Sequence, residues 1–180
     1  MYGVRGMFGN QVVYKKRKTT RYVASAPEVD ENRVPGEAEQ ANRDRFARSN
    51  TYAKTSIKDP EIKKMYEAVA KKNQTANNVA FSDAYRPPVI KGILAYGYSG
   101  AAGNIITIQA TDNFKVTAVK VSIYNSENIL IEEGDAVDNG DKLNWMYTVS
   151  QANNNVAGSK IMVKAYDMPG NETVKEIINR

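Results

Sequence analysis

Ile161-Met-Val163-Lys-Ala165-Tyr-Asp167-Met-Pro169-Gly170-Asn171-Glu-Thr173-Val-Lys-Glu-Ile-Ile178 is the stretch whose period decides the fold. Ile161, Val163 and Ala165 recur at every second position, which places them on one face of an extended strand. Pro169-Gly170-Asn171 is a turn signal, and Thr173 to Ile178 returns as a second strand. A helix cannot satisfy a period of two, so this segment reads as an antiparallel strand pair with one buried face.

The same period extends upstream. Ile106, Ile108 and Ala110 share a face, as do Val119, Val121 and Ile123, and again Leu143, Trp145, Tyr147 and Val149. With Ile93 to Tyr98 and Ile129 to Glu133, residues 89–180 contain about seven short strands punctuated by turns such as Asn139-Gly140. That spacing is the pattern of an immunoglobulin-like β-sandwich. Trp145, in phase with Leu143 and Tyr147, is expected in its core.

Before Val89 the period changes. Asp59 is an N-cap with Pro60 at the first helical position and Glu61 in the first turn, and Ile62, Met65, Tyr66 and Val69 follow on one helical face. A helix before it carries Ala38, Ala41, Ala47, Tyr52 and Ala53, with Phe46 as the main apolar anchor. A third runs from about Thr75 through Val79, Phe81, Ala84 and Tyr85 until Pro87-Pro88 ends it. Further upstream, Gln11 to Lys15 and Thr20 to Ser25 read as a β-hairpin whose turn is the basic run, followed by a linker from Pro27 to Gly36. The expected class is α+β: a basic hairpin arm and linker over 1–36, a short helical domain over 37–88, and the sandwich over 89–180.

The 180 residues contain neither cysteine nor histidine, which removes disulfides, zinc–thiolate sites, the commonest general base and the Ser-His-Asp arrangement. No metal, cofactor or catalytic constellation is expected, and the chain reads as non-enzymatic. No segment approaches the length of a membrane span. Met1 to Tyr14 lacks a secretory h-region, which predicts cytoplasmic synthesis without Sec export, with release only inside a particle or assembly. The net charge of +5 is uneven: residues 1–90 hold 17 basic and 10 acidic side chains, residues 91–180 hold 8 and 10.

Val163-Lys-Ala165-Tyr-Asp167-Met-Pro-Gly170-Asn171 resembles the closing strands of bacterial immunoglobulin-like repeats, which commonly read Val-x-Ala-x-Asp-x-x-Gly-Asn. Ile108-Gln-Ala110-Thr-Asp112 echoes it upstream. Phe46 to Lys54, Asp59-Pro60-Glu61 to Glu67, Asn78-Val79-Ala80 to Asp83 and the Pro87-Pro88 junction are together similar to a family of uncharacterised bacterial proteins in which such a helical segment leads into the sandwich. The resemblance implies the architecture and adds no catalytic residue.

The candidate partner-binding residues are Tyr14, Lys15, Lys16, Arg17, Lys18, Arg21 and Tyr22. Five of the seven residues from Lys15 to Arg21 are cationic, which suits phosphate contact, an acidic protein surface, or a solvated turn that keeps a hairpin edge from aggregating. Tyr14 and Tyr22 are read either as stacking platforms for bases or as a cross-strand pair. Two acidic features have plain alternatives. Glu132-Glu133 to Asp141 is a calcium loop or a solvated loop, and Asp112 and Asp167 close Asx turns at strand ends. Gly97, Gly100 and Gly103 form no phosphate-loop pattern. An arm and helices with little core of their own point to a homo-oligomer or to other protein subunits, in a filament, phage-like or injection-type particle. A nucleic-acid-associated protein and an adhesin or carbohydrate-binding module are the alternatives.

Overall fold

The computed structural model describes residues 6–9, 11–17, 20–26 and 33–179. Among the described residues the structure is mixed α+β, with three helices and three antiparallel sheets. By contacts the chain divides into two compact units, Met1–Gln40 and Ala41–Arg180.

The first unit holds β1 (Gly6–Phe8), β2 (Val12–Arg17) and β3 (Thr20–Ser25), in the order β1-β2-β3. The hairpin expected from sequence is therefore a three-stranded sheet. The basic run is also not all turn, because β2 continues through Lys15 and Lys16 to Arg17, which pairs with Thr20. Strand pairing is made by backbone groups, so it continues through these cationic positions.

In the second unit α1 (Glu37–Ser56), which begins in the first, is followed by α2 (Pro60–Val69) and α3 (Ala76–Tyr85). Asp59 caps α2 as its sequence indicates: Oδ1 accepts from the amides of Glu61 at 2.8 Å and Ile62 at 3.3 Å. Asp59→Ala is expected to cost about 1 kcal/mol, seen as a lower thermal midpoint with the far-ultraviolet spectrum retained at low temperature. Phe46 is not the anchor of α1. It lies 56% exposed, edge-on to Phe81 at 5.0 Å, and the buried positions are Ser49, Ala53 and Ser56. Small residues let the helix approach its neighbours more closely than a phenyl ring would.

Eight strands follow among the described residues, where about seven were expected. They are β4 (Val89–Leu94), β5 (Ile105–Thr111), β6 (Val116–Tyr124), β7 (Leu130–Asp135), the two-residue β8 (Val137–Asp138), β9 (Asn144–Thr148), β10 (Lys160–Asp167) and β11 (Glu172–Ile178). They form two four-stranded sheets, β11-β10-β6-β7 and β4-β5-β9-β8. The strand expected over Ile93 to Tyr98 lies earlier, at Val89–Leu94, and Leu143 falls just before β9.

The inward residues of both sheets share one core: Ile106, Ile108 and Ala110 from β5, Val119, Val121 and Ile123 from β6, Ile161, Val163 and Ala165 from β10, with Trp145 and Tyr147. A second cluster joins Ala53, Tyr66, Ala76, Val79 and Ala80 of the helices to Phe114 of the β5–β6 connection and Met168 of the β10–β11 turn. Hydrogen bonds close the same junction. Asn171 Nδ2 donates to the Ala84 carbonyl at 3.2 Å, and Thr173 Oγ1 to that of Pro88 at 2.6 Å. Helices α2 and α3 thus lie against one end of the paired sheets, where two strand connections meet.

Candidate functional site

The first unit carries the residues singled out from sequence. Register pairs Tyr14 with Val23 and Lys15 with Tyr22. Directly opposed residues share a face and adjacent ones alternate, so Tyr14 and Tyr22 lie on opposite faces and do not form a cross-strand pair. Lys16 and Arg21 occupy paired positions next to them. Lys18 lies outside the described residues, as does most of the expected linker, from Pro27 to Glu31 and Asn32. Phe8, Val12, Tyr14 and Val23 fall on one face by register, Met7, Val13, Tyr22 and Ala24 on the other. Phe8 is 75% exposed, Met7 59% and Val23 54%, and no described residue of the unit is buried.

A different constellation lies where the helices meet the sheets. Asp83 on α3, Asp112 just after β5 and Asp167 at the end of β10 bring carboxylate oxygens within 4.8 Å of one another. Asp83 and Asp167 are buried and Asp112 is half-buried. The turns foreseen for two of them are present. Asp112 Oδ2 accepts from the amides of Phe114 at 2.9 Å and Lys115 at 3.1 Å, and Asp167 Oδ1 accepts from that of Asn171 at 2.6 Å. Asn171 Nδ2 also donates to Asp167 Oδ2 at 2.7 Å. The Asn113 amide is assigned with its nitrogen toward Asp112 Oδ1 at 3.1 Å and its oxygen accepting from the Asp83 amide at 3.3 Å.

Asp83 is the member that sequence reading passed over. Its Oδ2 accepts from Tyr66 Oη at 2.6 Å, and Tyr66 Oη lies 3.0 Å from Tyr52 Oη. Since the Tyr66 proton points to Asp83, Tyr52 donates to Tyr66. Burial pushes both phenols above their ordinary pKa, so the chain of hydroxyls stays protonated. Oδ1 of Asp83 is buried with no hydrogen-bond partner. Burial, reinforced by the Asp112 and Asp167 charges, pushes the Asp83 carboxyl up to about 7, and burial also raises Asp167. A signal for Asp83 exists in the sequence: it follows Val79 by four positions, on the apolar face of α3, where a carboxylate needs a partner.

The acidic stretch from Glu132 to Asp141 assembles no comparable group among the described residues. Glu132 Oε2 turns inward to the Ser150 and Gln151 amides, Glu133 accepts from Ser122, and Asp138 accepts from the Gly140 amide. The amides of Asn144 and Leu143 and the Asn144 side chain hold Asp141 down to about 2. Glu132 alone of this stretch keeps a buried oxygen, Oε1, without a hydrogen-bond partner, and among the described residues it joins no cluster of three acids.

Among the described residues no helix is long and apolar enough to cross a membrane. No protein-family model matches the chain, and no curated protein matches it. Among solved structures, an engineered protein determined by the Northeast Structural Genomics Consortium is similar over 57% of this chain and 21% of its own, with 16% identity and a TM-score of 0.34; the chain thus spans about a fifth of that protein's length.

Proposed function

We propose that this chain is a non-enzymatic assembly protein that docks through its N-terminal sheet onto a second copy of itself, and that its paired sheets form an immunoglobulin-like module carried by the assembly. The observation behind this reading is the β1–β3 sheet, in which Phe8, Met7 and Val23 are exposed and no described residue is buried. A small sheet in water is marginal without a surface to cover it. Burying one such side chain contributes roughly 1.5–3 kcal/mol. A second copy is the favoured occupant because the sheet edges at β1 and β3 admit antiparallel addition of a like strand, and mutual burial would cover the same residues twice.

Sedimentation of the full chain across a concentration series tests this. Oligomers that become monomers in the double variant Phe8→Asp/Val23→Asp, with Trp145 fluorescence and its unfolding midpoint unchanged, are the expected result. A wild-type chain that stays monomeric at every concentration sinks the reading. In that event the paired positions Lys16 and Arg21, with Lys15 beside them, direct attention to nucleic acid. Binding would then be strongest at low salt, weakening steeply as salt rises.

A further inference from the structure

Three acids stand together at the junction of α3, the β5–β6 connection and the β10–β11 turn, and none takes part in an ion pair among the described residues. Asp112 and Asp167 are partly satisfied by amides, but Asp83 keeps one wholly buried oxygen without a partner. Leaving a buried polar atom unpaired is costly, and leaving it beside two further carboxylates is more so. Among the described residues no ion pair offsets these three carboxyls.

We propose that Asp83, Asp112 and Asp167 form a binding site for one calcium-class divalent cation. All three first ligands are hard carboxylate oxygens, and the chain has no histidine or cysteine to recruit a softer metal. Coordination flexibility favours the larger cation. Calcium accepts oxygen ligands at about 2.3–2.6 Å in flexible geometry, whereas magnesium demands near-ideal octahedral closure at about 2.1 Å, which three carboxylates fixed by separate elements do not readily supply. The three oxygens fall within 4.8 Å of one another, which places them around one point that a single ion can share. Half-exposed Asp112 opens the site to solvent, and water completes the six to eight ligands such an ion takes. Bound there, the ion ties one helix to two strand connections.

The test uses the full chain after dialysis against a chelator, with calcium and magnesium titrated separately by calorimetry and by thermal unfolding followed at Trp145, the single tryptophan. Terbium, which replaces calcium, gives a direct readout, because Tyr66 hydrogen-bonds Asp83 and would sensitise its luminescence. Expected are one calcium per chain, a midpoint raised by about 5 °C at saturation, and tyrosine-sensitised terbium emission that calcium displaces. Asp83→Asn should weaken calcium binding at least about tenfold. Asp112→Asn, at a half-exposed position that tolerates substitution, should do likewise and decides the matter if the first variant does not fold. The inference is overturned by calcium that produces neither heat nor a midpoint shift, by binding that survives both substitutions, or by magnesium acting as strongly as calcium. Asp83→Asn that stabilises the chain with no ion effect in either protein would instead show that a shared proton occupies the cluster. None of these outcomes depends on the oligomeric state.

Discussion

Gly100→Ala lowers the unfolding midpoint by about 10 °C, a loss of roughly 3 kcal/mol, whereas Gly103→Ala, three residues away, costs only about 1 kcal/mol. Both glycines lie in the connection between β4 and β5, and both have positive φ, +81° and +89°. The conformational penalty of a side chain is thus nearly the same at the two sites. Their surroundings differ. A Cβ on Gly100 would stand 2.2 Å from the carbonyl oxygen of Asn153 and 2.3 Å from Cγ2 of Val156, while one on Gly103 meets nothing within 4 Å. The oxygen belongs to backbone, and it cannot swing away. Asn153 is 4% exposed and tied on three sides: its amide donates to the Gly100 carbonyl at 2.8 Å, and its side chain donates to Tyr98 Oη at 3.1 Å and Ser159 Oγ at 2.9 Å. Relieving the clash separates the two loops and breaks this set of bonds. Thermal unfolding of the two single variants, followed at Trp145, separates the contributions. Equal losses at the two positions would mean that backbone conformation alone is responsible and that the loop contact carries no stability.

The period-two pattern made the sheets legible because burial selects every second residue. Ile106, Ile108, Val119, Val121, Ile161 and Val163 were read as core from spacing alone, and all are fully buried. The N-cap at Asp59 was legible because capping is local, involving atoms within three residues. What could not be read is what depends on distant parts of the chain. Asp112 and Asp167 were seen as turn residues, which they are, but 55 positions separate them and only the packing of the two sheets, with β5 in one and β10 in the other, brings their carboxylates together. Asp83 arrives from a third element. Phe46 misled because a large apolar residue usually anchors a helix, and here Ala53 allows closer packing. The N-terminal sheet was read as a hairpin because β1 is only three residues long, Gly6 to Phe8, and carries no alternation of its own.

The proposed cation site and the proposed assembly surface lie in different compact units, and their chemistry differs accordingly. The β1–β3 sheet offers apolar area and positive charge at the level of paired strands. The carboxylate cluster offers concentrated negative charge inside a packed junction. An enzyme commonly combines a cleft with polar groups of tuned protonation. Here the acids with raised pKa are enclosed by Tyr66, Tyr52 and turn amides. Their surroundings suit binding a charge that holds elements together better than exchanging protons with a substrate.

In a chelator, the stability of the Ala41–Arg180 unit falls as pH rises from 5 to 8, and Asp83→Asn removes most of that slope. The sign follows from proton uptake. Folding raises the Asp83 carboxyl from its ordinary 3.8 to about 7, because burial and the facing charges of Asp112 and Asp167 disfavour its ionised form, even though the Tyr66 hydroxyl opposes the shift. Between those two values the folded chain holds a proton that the unfolded chain has released, so stability declines with rising pH. The loss begins near pH 4 and is complete above about 7, where it amounts to on the order of 4 kcal/mol. Asp167 is shifted in the same direction and adds to the trend. Asp141 acts oppositely. Its carboxyl is depressed to about 2, so its contribution is present above its unfolded value of 3.8 and is lost only at lower pH, outside the measured window. Urea unfolding at Trp145 in steps from pH 5 to 8 provides the check. A wild-type profile that is flat or rising, or a slope that Asp83→Asn leaves intact, would show that the buried carboxyl does not titrate in this range. With calcium present the expected slope flattens toward zero, because an ion bound to ionised carboxylates displaces the proton from the folded chain while the unfolded chain holds none above about pH 5. A slope in chelator that calcium flattens and that Asp83→Asn abolishes would identify one group of atoms as the seat of both effects.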